Sequence, residues 1–334
     1  MDEQERFFFD TDADLTIMSD KTLAVIGYGN QGRSQALNMA DSGFNVIIGG
    51  QRDTTLKQAE KDGFEVMSVA EATKRADVVF VLVPDEIMPS IYDEEIAPFM
   101  LDNQMVVFAS GYNVYYGLII PASTLDVVLL APRMIGKGVR DRFVSGQGYP
   151  ALIAVHQDGS GEAWPKLLSL AKGIGATKMG ALESSFEEET ILDLFNEQAM
   201  CGLQLWAFRA AYEILSNYGL NPSAILLELY ASGEPEQIAK AYTEMGIWDQ
   251  LKLHSRTSQF GQLSRARHGV GTELRSHMTK IVEELRDGSF AREWACEQNV
   301  GFPGLYRMQA QVEEHESYKA EKRLFEIMKN KVKR

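Results

Sequence analysis

Six short apolar runs in the first half of the chain restrict its fold more than any other feature. They are "TLAVIGYG" (22–29), "FNVIIGG" (44–50), "DVVFVLVP" (77–84), "MVVFAS" (105–110), "DVVLLAP" (126–132) and "YPALIAV" (149–155). A strand with one wet face alternates apolar and polar residues, so runs this continuous belong to strands buried on both faces. Between them, apolar residues recur at helical spacing over 31–42, 55–62, 69–75 and 86–100. Strands alternating with helices form βαβ units, and this half reads as a doubly wound α/β domain on a parallel sheet.

The rhythm changes near residue 182. From Glu183 onward the pattern holds no strand, only long amphipathic segments at 189–219, 221–232, 234–252, 272–287, 289–298 and 309–331. "NPSAILLELYAS" opens with an Asn cap and a proline in the first turn. The expected division is residues 1–182 for the α/β domain and 183–334 for an all-helical one.

The 334 residues carry 33 basic and 47 acidic side chains, a net charge of −14. Such a surface repels phosphate backbones, which argues against a nucleic-acid partner. Two cysteines without metal-like spacing fit a reducing compartment. The opening "MDEQERFFFDTDADL" lacks the basic-then-apolar pattern of a signal peptide, and its "FFF" reads as an anchor on the protein body. No apolar run is long enough to cross a membrane. These features predict a soluble, cytoplasmic protein.

"VIGYGNQG" places Gly27, Gly29 and Gly32 in a G-x-G-x-x-G pattern, after a buried strand and before a helix. That context belongs to a dinucleotide-binding Rossmann turn. Gly27 permits the tight turn, Gly29 lets a pyrophosphate approach the backbone, and Gly32 lets helix pack on strand. The helix N-terminus offers free N–H groups to the phosphates. The second strand ends at Gly50 and Gln51, where an NAD-specific site usually carries an acid. Arg52, Thr54 and Thr55 suit a 2′-phosphate and favour NADPH over NADH, with Asp53 dissenting.

"EEETILDLFNEQ" (187–198) packs five carboxylates into twelve residues, with Asp193 and Glu197 four apart on one helix face. They suit either a solvated face or a pair of metal ligands, and spacing alone leaves both open.

Taken together, the motifs resemble the ketol-acid reductoisomerases of the short class I type. The resemblance covers "FFFDTDADL", "IGYGNQG", "LVPDE", "GYNVYYG", "GKGVR", "LIAVHQDGSG", "EEETILDLFNEQ" and "FAREWACEQNVGFP". It implies a homodimer with active sites shared between chains, NADPH, one or two Mg2+ ions and a small-molecule substrate. The implied cofactor positions are Tyr28, Gly29, Asn30, Gln31, Gln51, Arg52, Thr54, Thr55, Asp85, Glu86, Ile87, Met88 and Gly136. Asp193, Glu197 and Glu228 match metal ligands, with Glu228 supplied across the dimer. Ser255 matches a serine that binds the substrate carboxylate. Trp164, Trp206, Trp248 and Trp294 read as core or dimer-interface anchors.

Three positions depart from the family pattern. Ser110 stands where the family has histidine, Arg133 where it has lysine, and Ser232 where it has a carboxylate. A hydroxyl cannot carry a proton at neutral pH as imidazole does. A guanidinium keeps its charge and presents a flat fork. Loss of a carboxylate weakens a second metal site. Ser110, Arg133, Glu228 and Ser255 therefore form the candidate catalytic set. The substitutions point first to an NAD(P)H-dependent reductase that reduces C=O or C=N without alkyl migration. Two alternatives stand beside it: a genuine reductoisomerase of branched-chain amino-acid synthesis, and a non-catalytic NADPH-binding protein.

Overall fold

A computed structural model describes residues 5–51 and 54–332. Arg52, assigned to the cofactor from the sequence, and Asp53 lie outside the described residues. The chain divides into two compact units, Met1–Leu192 and Asp193–Arg334.

The first unit is built on nine strands: β1 (Phe7–Phe8), β2 (Thr22–Ile26), β3 (Asn45–Gly49), β4 (Glu65–Met67), β5 (Val78–Val81), β6 (Met105–Phe108), β7 (Asp126–Pro132), β8 (Ala151–Gln157) and β9 (Ala181–Glu183). They form one sheet in the order β1-β9-β8-β7-β6-β5-β2-β3-β4. From β4 to β7 every pair is parallel. β8 runs antiparallel to β7, and β1 antiparallel to β9. The sheet is therefore mixed at one side, where the apolar runs predicted a parallel one; apolar content marks a strand without marking its direction. β1, β4 and β9 are two or three residues long, too short to leave a pattern.

β5, β6 and β7 are buried at every position, as unbroken apolar runs require. Alternate side chains feed separate cores on the two faces. Leu23, Val25, Phe80, Val107 and Leu130 belong to one, and Ala24, Ile26, Val81, Phe108 and Leu129 to the other. Each of these side chains larger than alanine contributes about 1.5–3 kcal/mol relative to exposure.

The helices of this unit are α1 (Asn30–Asp41), α2 (Thr54–Lys61), α3 (Val69–Arg75), α4 (Met88–Ile91), α5 (Tyr112–Tyr115), α6 (Gly136–Val144) and α7 (Ala163–Ile174); α8 (Phe186–Phe195) contains the division. Ser68 and Glu71 cap α3 reciprocally. The helix expected over 86–100 is broken into α4, a π-turn at Tyr92–Ile96 and a 3-10 turn at Ala97–Phe99. Asn38 of α1 is fully buried and binds the carbonyls of Val139 and Ile174 at 3.3 and 3.0 Å, tying α1 to α6 and α7. Of the "FFF" segment, Phe8 packs on the body, 5.6 Å from Trp164 with Arg6 over both rings, while Phe7 and Phe9 are exposed.

The second unit is helical: α9 (Gly202–Asn217), α10 (Pro222–Leu226), α11 (Glu234–Met245), α12 (Arg256–Arg265), α13 (Thr272–Arg286), α14 (Ser289–Asn299), α15 (Pro303–Glu314) and α16 (Glu316–Val332). The segment 309–331, expected as one helix, is two that meet at His315. α12 leaves no clear amphipathic pattern in the sequence, although Ser255 caps it. The cores here are small, one around Tyr212, Leu226 and Leu324, another around Ala199, Ile281 and Leu285. Trp206 and Trp248 are 59% and 74% exposed, so neither is a core anchor of the single chain. Among the described residues no helix is long and apolar enough to cross a membrane.

The glycines of the first turn separate packing from openness. A Cβ on Gly32 would lie 2.0 Å from the Gly27 carbonyl oxygen, whereas one on Gly29 would meet nothing within 4 Å. Gly32→Ala is expected to lose about 3 kcal/mol of stability in urea unfolding. Gly29→Ala is expected to lose less than about 1 kcal/mol.

Candidate active site

The strand order reverses beside β2: the chain runs outward through β3 and β4 on one side, then crosses back to β5 on the other. In open α/β sheets a ligand crevice forms there, beyond the carboxyl ends of the strands. Gly27 has φ +93, and a side chain there would strike the Leu82 carbonyl at 2.8 Å. Its amide donates to Gly49 at 3.1 Å. Gly29 follows as the N-cap of α1, and no side chain caps the helix. Exposed first-turn N–H groups beside open space fit a pyrophosphate.

A second loop closes against this turn. Gly136 opens α6, and a Cβ on it would lie 2.2 Å from the Asn30 carbonyl oxygen. Gln31 donates to the Met134 carbonyl at 2.9 Å and accepts from Gln35 at 3.2 Å. Tyr28, Gly29, Asn30, Gln31 and Gly136 are thus gathered at one place. Gln51 is exposed just past β3, while Thr54 and Thr55 open α2. Asp85, in the loop after β5, accepts from Asn113 of α5 at its carbonyl (3.1 Å) and at Oδ1 (3.3 Å). Ile87 is 44% exposed, whereas the Met88 side chain is buried in the core. Any Met88 contact with a cofactor would therefore come from its backbone.

Ser110 and Arg133 follow β6 and β7, adjacent parallel strands whose carboxyl ends lie side by side. Both are organised by a residue that pattern reading passed over. Glu189 of α8 is buried; Oε1 takes a hydrogen bond from Arg133 Nη2 at 2.7 Å, and Oε2 takes one from the Gly111 amide at 2.7 Å. Ser110 Oγ accepts from the Tyr112 amide at 3.3 Å. A Cβ on Gly111 would sit 2.4 Å from the Phe186 carbonyl oxygen, so the loop needs glycine where α8 docks. A usable sequence signal existed: Phe186, Glu189 and Thr190 share one helix face, and an acid on an apolar face is buried. The Arg133 guanidinium remains charged, so it can hold or polarise an anionic oxygen but cannot supply a proton.

In the second unit, two of the proposed metal ligands sit in π-turns, where one extra residue shifts the helix register. Glu197 lies in Asn196–Cys201 and Glu228 in Leu227–Ala231. Such turns concentrate at functional sites. Partial burial, with the neighbouring Asp193 carboxylate, pushes the Glu197 carboxyl above its usual range. A cation between the two would relieve that repulsion, and hard carboxylate oxygens suit Mg2+. Among the described residues no three His, Cys, Asp or Glu side chains gather as a metal site, so Glu228 does not join the pair within one chain. Ser232 accepts from the Glu234 amide at 3.4 Å, and Ser255 caps α12 by accepting from Ser258 at 3.2 Å. His254 hydrogen-bonds Gln250 at 3.1 Å, and His156 packs on the Phe186 ring at 5.3 Å.

Removing one member of a buried ion pair strands the other. Glu189→Ala is expected to cost about 3 kcal/mol in urea unfolding, and Glu189→Gln clearly less, because the amide oxygen can still accept from Gly111.

Comparison with known proteins finds relatives along nearly the whole chain. Residues 17–180 match the family described as "Acetohydroxy acid isomeroreductase, NADPH-binding domain". Residues 186–330 match "Ketol-acid reductoisomerase, C-terminal domain". The chain is 46% identical over 327 residues to "Putative ketol-acid reductoisomerase 3" of Saccharolobus solfataricus, covering 96% of this chain and 98% of that one. It is 38% identical to "Ketol-acid reductoisomerase (NADP(+))" of Methanocaldococcus jannaschii, covering 93% and 94%. The solved NADH-preferring ketol-acid reductoisomerase from an uncultured archean superposes with a TM-score of 0.91 at 33% identity, covering 96% and 98%. The chain belongs to the ketol-acid reductoisomerase family and is an NAD(P)H-dependent oxidoreductase of that class.

Proposed function

We propose that the protein is a genuine ketol-acid reductoisomerase, which shifts an alkyl group on an acetohydroxy acid and reduces the ketone so formed. The observation that carries this reading is the end-to-end match of both domains to the family, with relatives of that name at 46% and 38% identity. When bound, Mg2+ polarises the substrate oxygens and the reduced nicotinamide supplies hydride. Asp193 and Glu197 hold the metal, and Glu228 joins them from a second copy of the chain. Exposed Leu205, Trp206, Trp248 and Phe260 supply an apolar surface suited to such a homodimer. Ser255 orients the substrate carboxylate through its exposed hydroxyl. Arg133, fixed by Glu189, stabilises negative charge on a substrate oxygen. NADPH is the preferred cofactor, supported by the M. jannaschii relative and by Thr54 and Thr55 at the head of α2.

A second reading, reduction without migration, draws on Arg133. Its guanidinium is engaged by Glu189 and keeps its proton, and Ser110 offers no imidazole in its place. One assay separates the two. With Mg2+ and NADPH or NADH, the protein is expected to turn over both 2-acetolactate and 3-hydroxy-3-methyl-2-oxobutanoate. Turnover of the rearranged ketone alone would move the conclusion to the reductase. Silence on both would sink both readings and leave dinucleotide binding without catalysis. EDTA, or Asp193→Asn and Glu197→Gln, is expected to lower acetolactate turnover by about 100-fold or more.

A further inference from the structure

The glycine turn is gripped from outside by the end of α2. Tyr28 is the single residue between Gly27 and Gly29, and its side chain is only 4% exposed. Its ring meets Phe64 edge-on at 5.9 Å, and its hydroxyl donates to Asp62 Oδ2 at 2.9 Å. Both partners come from the end of α2. There Gly63 takes φ +95, its amide donates to Glu60, and the Phe64 amide reaches back to Ala59, each at 3.1 Å. This is a Schellman turn with Asp62 at the C-cap. The turn throws Asp62 and Phe64 onto the same tyrosine.

Asp62 occupies a costly place, because a carboxylate at a helix C-terminus faces the negative end of the macrodipole. It is held there by four donated hydrogen bonds. Arg33 Nε and Nη2 reach it at 2.7 and 3.2 Å, Gln58 Nε2 at 2.9 Å, and the Tyr28 hydroxyl completes the set. Arg33 belongs to α1, and its amide makes the bond to Gly29 that begins the helix. Arg33 keeps the Asp62 carboxyl ionised, down at about 2 against the upward pull of burial. The cluster therefore joins the pyrophosphate turn, the first residues of α1 and the far end of α2.

We infer that Asp62 is a positioning residue for the dinucleotide: through Tyr28 and Arg33 it presets the Gly27–Gly29 turn and locks it to α2, whose other end carries Thr54 and Thr55. A turn that is already ordered loses little freedom when the ligand arrives, so the clamp acts on affinity rather than on chemistry. The inference rests on the reading that the dinucleotide occupies this turn.

The test uses the full chain and the fluorescence of bound NADPH and NADH. Tyr28→Phe, which deletes one oxygen, and Asp62→Asn are each expected to raise both dissociation constants about tenfold, the scale of one charge-assisted hydrogen bond. The double variant should add no more than about twofold, since both substitutions break the same bond. In turnover, Asp62→Asn should raise KM for the dinucleotide by a similar factor while kcat falls less than twofold, a split that general loosening of the fold would not produce. Gly29→Val serves as the reference for the site itself. Should Gly29→Val weaken binding while Tyr28→Phe and Asp62→Asn stay within twofold of the parent, the clamp is refuted and the site stands. A parent that binds neither dinucleotide, or a Gly29→Val that binds as well as the parent, removes the site and the inference together. If Asp62→Asn fails to fold, Tyr28→Phe alone decides the outcome.

Discussion

The approach of α1 to the end of β2 sets the rest of the first unit. Gly32 has no side chain, and the space a methyl would need is filled by the Gly27 carbonyl. With α1 seated at that distance, buried Asn38 reaches the carbonyls of Val139 and Ile174, which fixes α6 and α7. Gln31 reaches Met134 in the loop that carries Arg133. One missing methyl group thus governs where three helices sit and where a candidate catalytic guanidinium begins. Close packing leaves no slack to absorb a shift at this contact.

The chain is strongly acidic, yet two guanidiniums near the cofactor edge are each held by a mostly buried carboxylate. Glu189 holds Arg133 and the Gly111 amide; Asp62 holds Arg33 and the Tyr28 hydroxyl. Glu189 gives one oxygen to its cation and the other to a backbone amide, whereas both oxygens of Asp62 bind Arg33 and one of them also takes the Tyr28 hydroxyl. The Glu189 pair lies largely out of water and is costly to break. Arg33 is half exposed, and its pair with Asp62 holds geometry more than it adds stability. Arg133 is accordingly a fixed charge whose direction is set from α8, unlike a lysine free to swing and to lose its proton.

The substituted and assigned serines of the helical unit serve the backbone as well. Ser232 accepts from the start of α11 and Ser255 caps α12. The Ser232 hydroxyl is thereby engaged with its own backbone. The acidic pair Asp193 and Glu197 remains, with the Glu197 carboxyl held up by partial burial and by its neighbour.

The linear pattern carried the strands buried on both faces, the helices between them, the separate duties of Gly27, Gly29 and Gly32, and the four-residue spacing of Asp193 and Glu197. These are properties of one element at a time, and side-chain periodicity within an element is written directly in the order of residues. Tertiary structure alone decided what the buried acid of the run meets, for Glu189 binds Arg133 across 56 positions of sequence. It also decided that β8 runs backwards, that Trp206 and Trp248 face outward, and that Glu197 and Glu228 ride on π-turns. Each depends on what another element places opposite. A residue's own neighbours in sequence cannot report that, because packing brings together groups the chain keeps far apart.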